Sequence, residues 1–389
     1  MSGRTIAFFG SSLVSAYWNG AATYYRGVIR ALHGRGFRVT FYEPDAYDRQ
    51  AHRDIADPPW ARVVVYPNSE TGVEEALASA RGADWIVKAS GVGVFDARLE
   101  AAVLDLRDRH TEAIFWDVDA AATLDRVLRD PGDPFRPLIP RYDLILTYGG
   151  GAPVVQAYRS LGARECLPIY NALDPETHHP VPPDPRFEGT LGFLGNRLPD
   201  REARVEQFFF KAAEALPSAR FLLAGGGWAD KPKPQNVHDL GHLYTRDHNA
   251  FNCTPLAVLN ITRESMARNG YSPATRVFEA AGAAACLITD AWEGIELFLN
   301  PGEEVLVARD GAEVAAELQA LTLERARAIG EAARRRILSE HTYAHRAAQL
   351  EALLDGREAT GRARRRRERA DPEGKNSGSE SRLQTGEVL

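Results

Sequence analysis

Residues 271–296 read Y-S-P-A-T-R-V-F-E-A-A-G-A-A-A-C-L-I-T-D-A-W-E-G-I-E. The order is loop, helix, strand, loop. Ser272 can cap, and Pro273 suits a first helical turn, where a missing N–H costs nothing. Val277, Phe278, Ala281 and Ala284 fall at helical spacing. Gly282 and its small neighbours allow close backbone approach. Cys286 to Thr289 is a short apolar run of strand type, and Asp290 follows at its carboxyl end. In open α/β sheets ligands bind outside the carboxyl ends of strands. Thr275 and Arg276 stand at a helix start, whose free N–H groups and positive dipole end favour a phosphate. Glu279 lies about one turn further in and can accept hydrogen bonds from ribose hydroxyls. The plainer alternative is a buried crossover with surface charges.

The same alternation runs outward from this stretch. Thr5 to Phe9 is an apolar strand ending at Gly10-Ser11-Ser12. A helix from Ala21 to Leu32 follows, then a strand from Arg38 to Tyr42. That is the opening βαβ unit of a parallel sheet. Strands at Arg62 to Tyr66, Trp85 to Ala89, Ala113 to Trp116 and Asp143 to Thr147 continue it, with helices at Glu74 to Ala80 and Leu99 to Arg109. Asp117 and Asp119 follow one of these strands. They can serve as acceptor base or orienting groups, or simply cap the next helix.

Composition bounds the class. The 389 residues suffice for two domains, and 44% hydrophobic with 26% charged residues is ordinary for a globular protein. A formal charge of −6 gives no basic field for nucleic acid. No apolar run reaches membrane-spanning length, and no leader pattern precedes Thr5. Three scattered cysteines fit a reducing cytoplasm. His178 and His179 are adjacent rather than at the spacing of a helical zinc site, so no metal is expected.

The segment F-E-A-A-G-A-A-A-C-L-I-T-D resembles the donor-site segment of retaining family-four glycosyltransferases of the GT-B fold. Their pattern is a Glu, seven residues, a second Glu, then Ala-x-Ala-x-Gly and an apolar strand ending in Asp. Glu279 falls on the second Glu, and Tyr271 stands in place of the first. The T-R-V-F-E form resembles the CgeB-like (spore-maturation) branch of such enzymes. Residues 169–180, I-Y-N-A-L-D-P-E-T-H-H-P, resemble the segment that closes the first domain in this family, with Asn171 and Asp174 matching. The Pro-rich run from Pro180 to Pro185 is a stiff linker by composition.

The resemblance implies an α/β protein of two Rossmann-like domains whose parallel sheets face a cleft. The expected division is an acceptor-side domain over 1–180 and a donor domain over 186–340. A helix over 341–355 packs back on the first domain, and a disordered tail follows from Gly356, where no apolar period remains. The stretch after the strand Thr190 to Leu194 carries Arg197 and Arg201 before a helix from Glu202 to Leu216. Guanidinium forks there suit a diphosphate. The resemblance assigns Arg197, Arg201, Thr275, Arg276, Glu279 and Asp290 to the donor. Leu243 and Tyr244 fall beside the base, and Asp117 and Asp119 are the catalytic candidates. Ser11, Ser12, Tyr17, Trp18 and Asn19 fall where an acceptor binds, although Tyr17 and Trp18 also suit a core.

The implied activity is a hexosyl- or pentosyltransferase using a nucleotide diphosphate sugar, with an unknown acceptor, no cofactor and no metal. A sugar-nucleotide epimerase or phosphorylase of the same fold is the alternative, as is a non-catalytic sugar-nucleotide-binding protein.

Overall fold

The structure is a computed structural model and describes residues 4–17 and 19–370. Residues up to Ala347 form one compact unit, and those from Ala348 form a second.

The first unit holds two parallel sheets. The amino-terminal one is built from β1 (Thr5–Phe9), α1 (Ala22–Gly34), β2 (Arg38–Asp45), β3 (Arg62–Pro67), α2 (Glu70–Ser79), β4 (Trp85–Ala89), α3 (Asp96–Ala102), β5 (Glu112–Asp117), α4 (Ala120–Arg129), β6 (Leu144–Thr147), α5 (Gly151–Ser160) and β7 (Cys166–Pro168). Its strand order is β3-β2-β1-β4-β5-β6-β7. The second sheet follows with β8 (Leu191–Leu194), α6 (Glu202–Val205), α7 (Lys211–Ala215), β9 (Phe221–Ala224), β10 (Val237–Asp239), α8 (Thr245–Cys253), β11 (Ala257–Asn260), α9 (Glu264–Asn269), α10 (Thr275–Gly282), β12 (Leu287–Asp290), β13 (Leu306–Ala308), α11 (Gly311–Ala320) and α12 (Leu323–Glu340). Its order is β10-β9-β8-β11-β12-β13. The last helix is α13 (Tyr343–Ala370). It runs past Gly356, so residues 356–370 of the expected tail are helical; residues 371–389 lie outside the described residues.

Two-sided burial explains why the strands read as apolar runs. Every residue of β4, β6, β9, β11 and β12 is buried, as expected where helices cover both faces of a parallel sheet. Each sheet reverses its winding once, between β1 and β4 and between β8 and β11. The loops leaving those four strands therefore open at the switch points, where ligands bind in doubly wound sheets.

Several elements are not apparent from the sequence pattern or depart from it. β7 is only three residues long. α8 reads T-R-D-H-N-A-F-N-C and buries only Phe251 and Asn252, too little for a visible helical period. The helix expected from Glu202 is broken by a π-helical turn, Glu206–Phe210, between α6 and α7. The start of α11 lies against that turn: a Cβ on Gly311 would sit 2.6 Å from the Gln207 carbonyl oxygen.

The carboxyl edges of the two sheets meet through backbone and side chains. Gly150 N donates to the Tyr271 carbonyl at 2.8 Å. Asn171 donates to the Pro273 carbonyl at 3.2 Å. Leu173 exchanges backbone hydrogen bonds with His341 and Tyr343, at 2.8 and 3.0 Å. The first turn of α13 then packs on α1 and on the connection that follows β7. The Tyr343 ring lies over Gly27, where a Cβ would come within 2.2 Å of it, and Arg346 donates to the Tyr170 carbonyl at 3.2 Å.

His341 sits at this junction and makes it sensitive to acid. Its Nδ1 lies 2.9 Å from the Arg346 guanidinium and must accept, so the ring is neutral. Burial, then Arg346, Arg336 and His345, push it down to about 3 from its usual 6.5. The unfolded chain therefore binds more protons than the folded one between those values. Stability is expected to fall as pH drops from about 6.5 toward 3, by up to about 1.4 kcal/mol per pH unit for this one group. Denaturation curves of wild type and His341→Asn across that window check it: the variant's slope should be shallower.

Candidate active site: an arginine cluster between two sheets

The donor-side loops start at β8. Gly195 follows it, and a Cβ there would come 2.6 Å from Nη1 of Arg201. Only glycine lets this guanidinium lie across the strand end. Gly225, at φ +129, packs against the same turn: its Cβ would fall 2.3 Å from the Gly195 carbonyl oxygen.

Arg201 is one of several guanidiniums gathered at this edge. Burial lowers its pKa, and the positive charges of Arg263 and Arg276 lower it further. Arg263, just after β11, donates to Asp200 at 2.7 Å and lies 3.6 Å from Asp119 of the other sheet. Arg276, in the first turn of α10, lies 3.5 Å from the Glu279 carboxylate and 3.4 Å from Asn252 Oδ1. Burial pushes the Arg276 pKa down against the pull of Glu279. Arg204 donates to Asp290 at 2.6 Å. The Nε atoms of Arg201, Arg204 and Arg276 are buried with no hydrogen-bond partner. A native protein pairs nearly all such groups, and like charges held together repel. The cluster has the chemistry of a polyanion site.

Arg197 is placed differently from Arg201. It donates to Glu202 at 2.8 Å and to Asp230 at 3.1 Å, and both carboxylates raise its pKa. The structure thus brings Arg201 to Arg263 and Arg276, and ties Arg197 to surface acids. Arg263 belongs to no motif in the sequence; its one signal is its position three residues beyond the carboxyl end of β11.

Glu279 is half-buried within α10. Burial pushes its pKa up, but Arg276, His178, His248 and a hydrogen bond from Thr275 outweigh that and hold it below the usual range. The carboxylate is therefore charged and set to accept. Asp290 is wholly buried and accepts from Thr262 N and Oγ1, each at 3.0 Å, besides Arg204. It anchors the β11 loop. Leu243 packs at the edge of a small core around Phe187 and Phe251. Tyr244 is 62% exposed, edge-on to His242 and under the Arg246 guanidinium.

The two acceptor-side carboxylates separate. Asp117 is fully buried and takes hydrogen bonds from Tyr158, Ser90, Thr123 and the Asp119 backbone. Burial still raises its pKa. It organises the β5 loop and presents no free face to an acceptor, which corrects its sequence-based place beside Asp119. Asp119 is partly exposed and points to Arg263.

In the β1 loop, Ser11 donates to Asn19 Oδ1, Ser12 donates to Glu43, and Asn19 donates to the Ser12 and Ser15 carbonyls. These three are buried and shape the loop, with their polar groups turned to each other. Tyr17 is exposed and stacks on His52 with ring centroids 4.0 Å apart, so it is not a core residue. Trp18 lies outside the described residues.

Tyr271, in the place of the expected first Glu, has φ +47 and donates to Glu293 at 2.8 Å. Its ring packs against Gly151 and Gly294, where any Cβ would clash with it at 2.7 and 2.4 Å.

Comparison with known proteins adds to this geometry. A family model described as glycosyl transferase-like matches residues 201–352. Curated proteins gave no match. Several solved structures superpose over nearly the whole chain. Sucrose-phosphate synthase from Thermosynechococcus elongatus has a TM-score of 0.67 at 14% identity, covering 92% of this chain and 100% of that one. HepE of Anabaena in complex with UDP and glucose has 0.62 at 13%, covering 91% and 100%. A glycosyltransferase from Rickettsia africae has 0.62 at 10%, covering 92% and 99%. The carboxyl-terminal stretch 201–352 thus matches a glycosyl transferase-like family, and the chain as a whole has the GT-B fold.

Proposed function

We propose that this protein transfers a hexose or pentose from a nucleotide diphosphate sugar to an acceptor, with no metal ion in the transfer step. One observation carries the proposal: three buried guanidinium Nε–H groups without acceptors gather at the carboxyl edge of the second sheet. Arg201, Arg263 and the helix start at Thr275-Arg276 stabilise charge developing on the leaving diphosphate. Such fixed donors act most strongly where water is excluded. Glu279 accepts from the ribose hydroxyls, with Leu243 and Tyr244 beside the base. Asp119 faces this site from the other sheet and orients the acceptor, which enters past Tyr17. Arg197 and Asp290 support the donor loops rather than touching the donor.

The UDP and glucose held by the HepE structure agree with this class of donor. The T-R-V-F-E form supports a CgeB-like branch for the chain, and the cysteine usage suits the cytoplasm. No helix among the described residues is long and apolar enough to cross a membrane.

A second reading, donor binding with interconversion or without turnover, has Tyr271 in its favour, since a phenol replaces a carboxylate there. A panel of nucleotide sugars separates the readings. Slow donor hydrolysis supports transfer, interconversion supports an epimerase, and binding without turnover supports a non-catalytic role. Glu279→Ala should weaken donor binding by roughly 1–3 kcal/mol, because ribose hydroxyls lose their acceptor. Glu279→Gln, which keeps one acceptor, should cost less, and neither should move the pH optimum. Calorimetry and pH–rate profiles of both variants check this; donor affinity unchanged in Glu279→Ala would remove Glu279 from the site.

A further inference from the structure

We propose that His178, His248 and Glu279 form a binding site for a divalent transition-metal ion of the Zn²⁺ class, and that its occupation excludes the nucleotide donor. The exclusion rests on the assignment of Glu279 to the ribose; the metal site does not.

The three side chains come from separate elements. His178 lies in the connection between the sheets, in a turn closed by its N–H to the Asp174 carbonyl at 3.0 Å. His248 is on α8 and Glu279 on α10. One ligand atom from each lies within 4.8 Å of the others. Zinc bonds of about 2.1 Å at tetrahedral angles place ligand atoms about 3.4 Å apart. Side-chain rotations of about an ångström close the set.

Both imidazoles have a nitrogen to offer. Nε2 of His248 faces the Leu243 carbonyl at 3.3 Å. A carbonyl only accepts, so Nε2 carries the hydrogen and Nδ1 keeps its lone pair. This is the way outer-shell carbonyls fix the tautomer of metal-bound histidines. His178 is 4% exposed, and its Nε2 is buried with no partner. A buried ring nitrogen left unpaired is unusual in a native protein, and a metal ion would satisfy it.

The donor set selects the ion. Two imidazoles and one carboxylate suit zinc and its neighbours. Magnesium and calcium prefer oxygen ligands throughout. Three protein ligands leave a fourth position open. One group opposes the ion: the Arg276 guanidinium, 3.5 Å from Glu279. The ion must take the carboxylate from it, which makes binding reversible and lets a donor compete for the same oxygen atoms. His178 also belongs to the inter-sheet connection, so a bound ion would tie that connection to the second sheet.

The test uses the full chain freed of metal by a chelator. Co²⁺ is titrated in, and its ligand-field absorption is followed. Zn²⁺ is then added as competitor. One equivalent of Co²⁺ should bind with a four-coordinate spectrum, Zn²⁺ should displace it, and Mg²⁺ should not. His178→Ala and His248→Ala should each weaken binding tenfold or more. His178→Phe and His248→Gln keep the side-chain bulk, and melting curves verify that each variant folds. With free Co²⁺ corrected for its own chelation by UDP, UDP should raise the apparent dissociation constant for Co²⁺ linearly with UDP concentration. Absence of a Co²⁺ signal in wild type, or full binding in the folded histidine variants, overturns the site. Co²⁺ binding that ignores UDP overturns the exclusion. If UDP fails to bind the metal-free protein at all, the donor reading and the exclusion fall together, while the Co²⁺ titration still decides the metal site.

Discussion

Arg201→Ala is expected to weaken binding of a nucleotide diphosphate by about 1.5–3 kcal/mol, the worth of charge-assisted hydrogen bonds. Arg197→Ala should cost clearly less, because its guanidinium is already held in surface ion pairs. The difference follows from their partners. Arg197 is already neutralised by Glu202 and Asp230. Arg201 is half-buried beside two other cations and keeps an unpaired Nε. The same crowding makes a second, opposite expectation for stability. Removing one of several mutually repelling guanidiniums should leave the melting temperature of the ligand-free protein unchanged or raise it. A site strained for binding commonly trades stability in this way. Calorimetry with UDP and GDP, paired with thermal melts, checks both halves. A larger binding loss in Arg197→Ala than in Arg201→Ala would reverse the assignment.

The next largest effect concerns Gly330 in the middle of α12. In an ordinary helix interior, replacing glycine by alanine gains up to about 1 kcal/mol. Here the sign should invert. A Cβ on Gly330 would lie 2.1 Å from the carbonyl oxygen of Ala284. That oxygen is backbone in a turn between α10 and β12, where Ala284 has φ +58, so it has little freedom to withdraw. Instead α12 must move off the helix that carries Glu279. Gly330→Ala should destabilise by about 1–3 kcal/mol, the usual cost of overpacking. Gly34→Ala is the control, because nothing lies within 4 Å of a Cβ there. Urea denaturation should show a lower midpoint for Gly330→Ala alone. An equal or higher midpoint would mean that α12 has room beside the Ala284 carbonyl for a methyl group.

Local sequence pattern encodes the strands and the helices between them. Runs such as T-I-A-F-F, W-I-V-K-A and C-L-I-T-D specify buried strands, because both faces of each strand are covered and no polar alternation is tolerated. Helical spacing between them dictates parallel crossovers, and hence two sheets with loops at their carboxyl edges. The segment 271–290 was legible for the same reason: a helix start, a carboxylate one turn in and a strand lie within twenty residues. What failed was also local. α8 buries too few residues to mark a period, and Gly149-Gly150-Gly151 hid the start of α5.

Which side chains are left free to act depends on contacts between distant parts of the chain. Arg197 and Arg201 occupy one loop and look alike in sequence, and a remote Asp230 separates them. Asp117 and Asp119 stand two residues apart, yet Tyr158 and Ser90 saturate one and leave the other open toward Arg263. His178, dismissed beside His179, meets His248 and Glu279 only across three elements. The physical reason is common to all three cases. Strand and helix patterns arise from interactions within a few residues, whereas the charge state and availability of a polar group depend on partners far along the chain, which spacing does not encode.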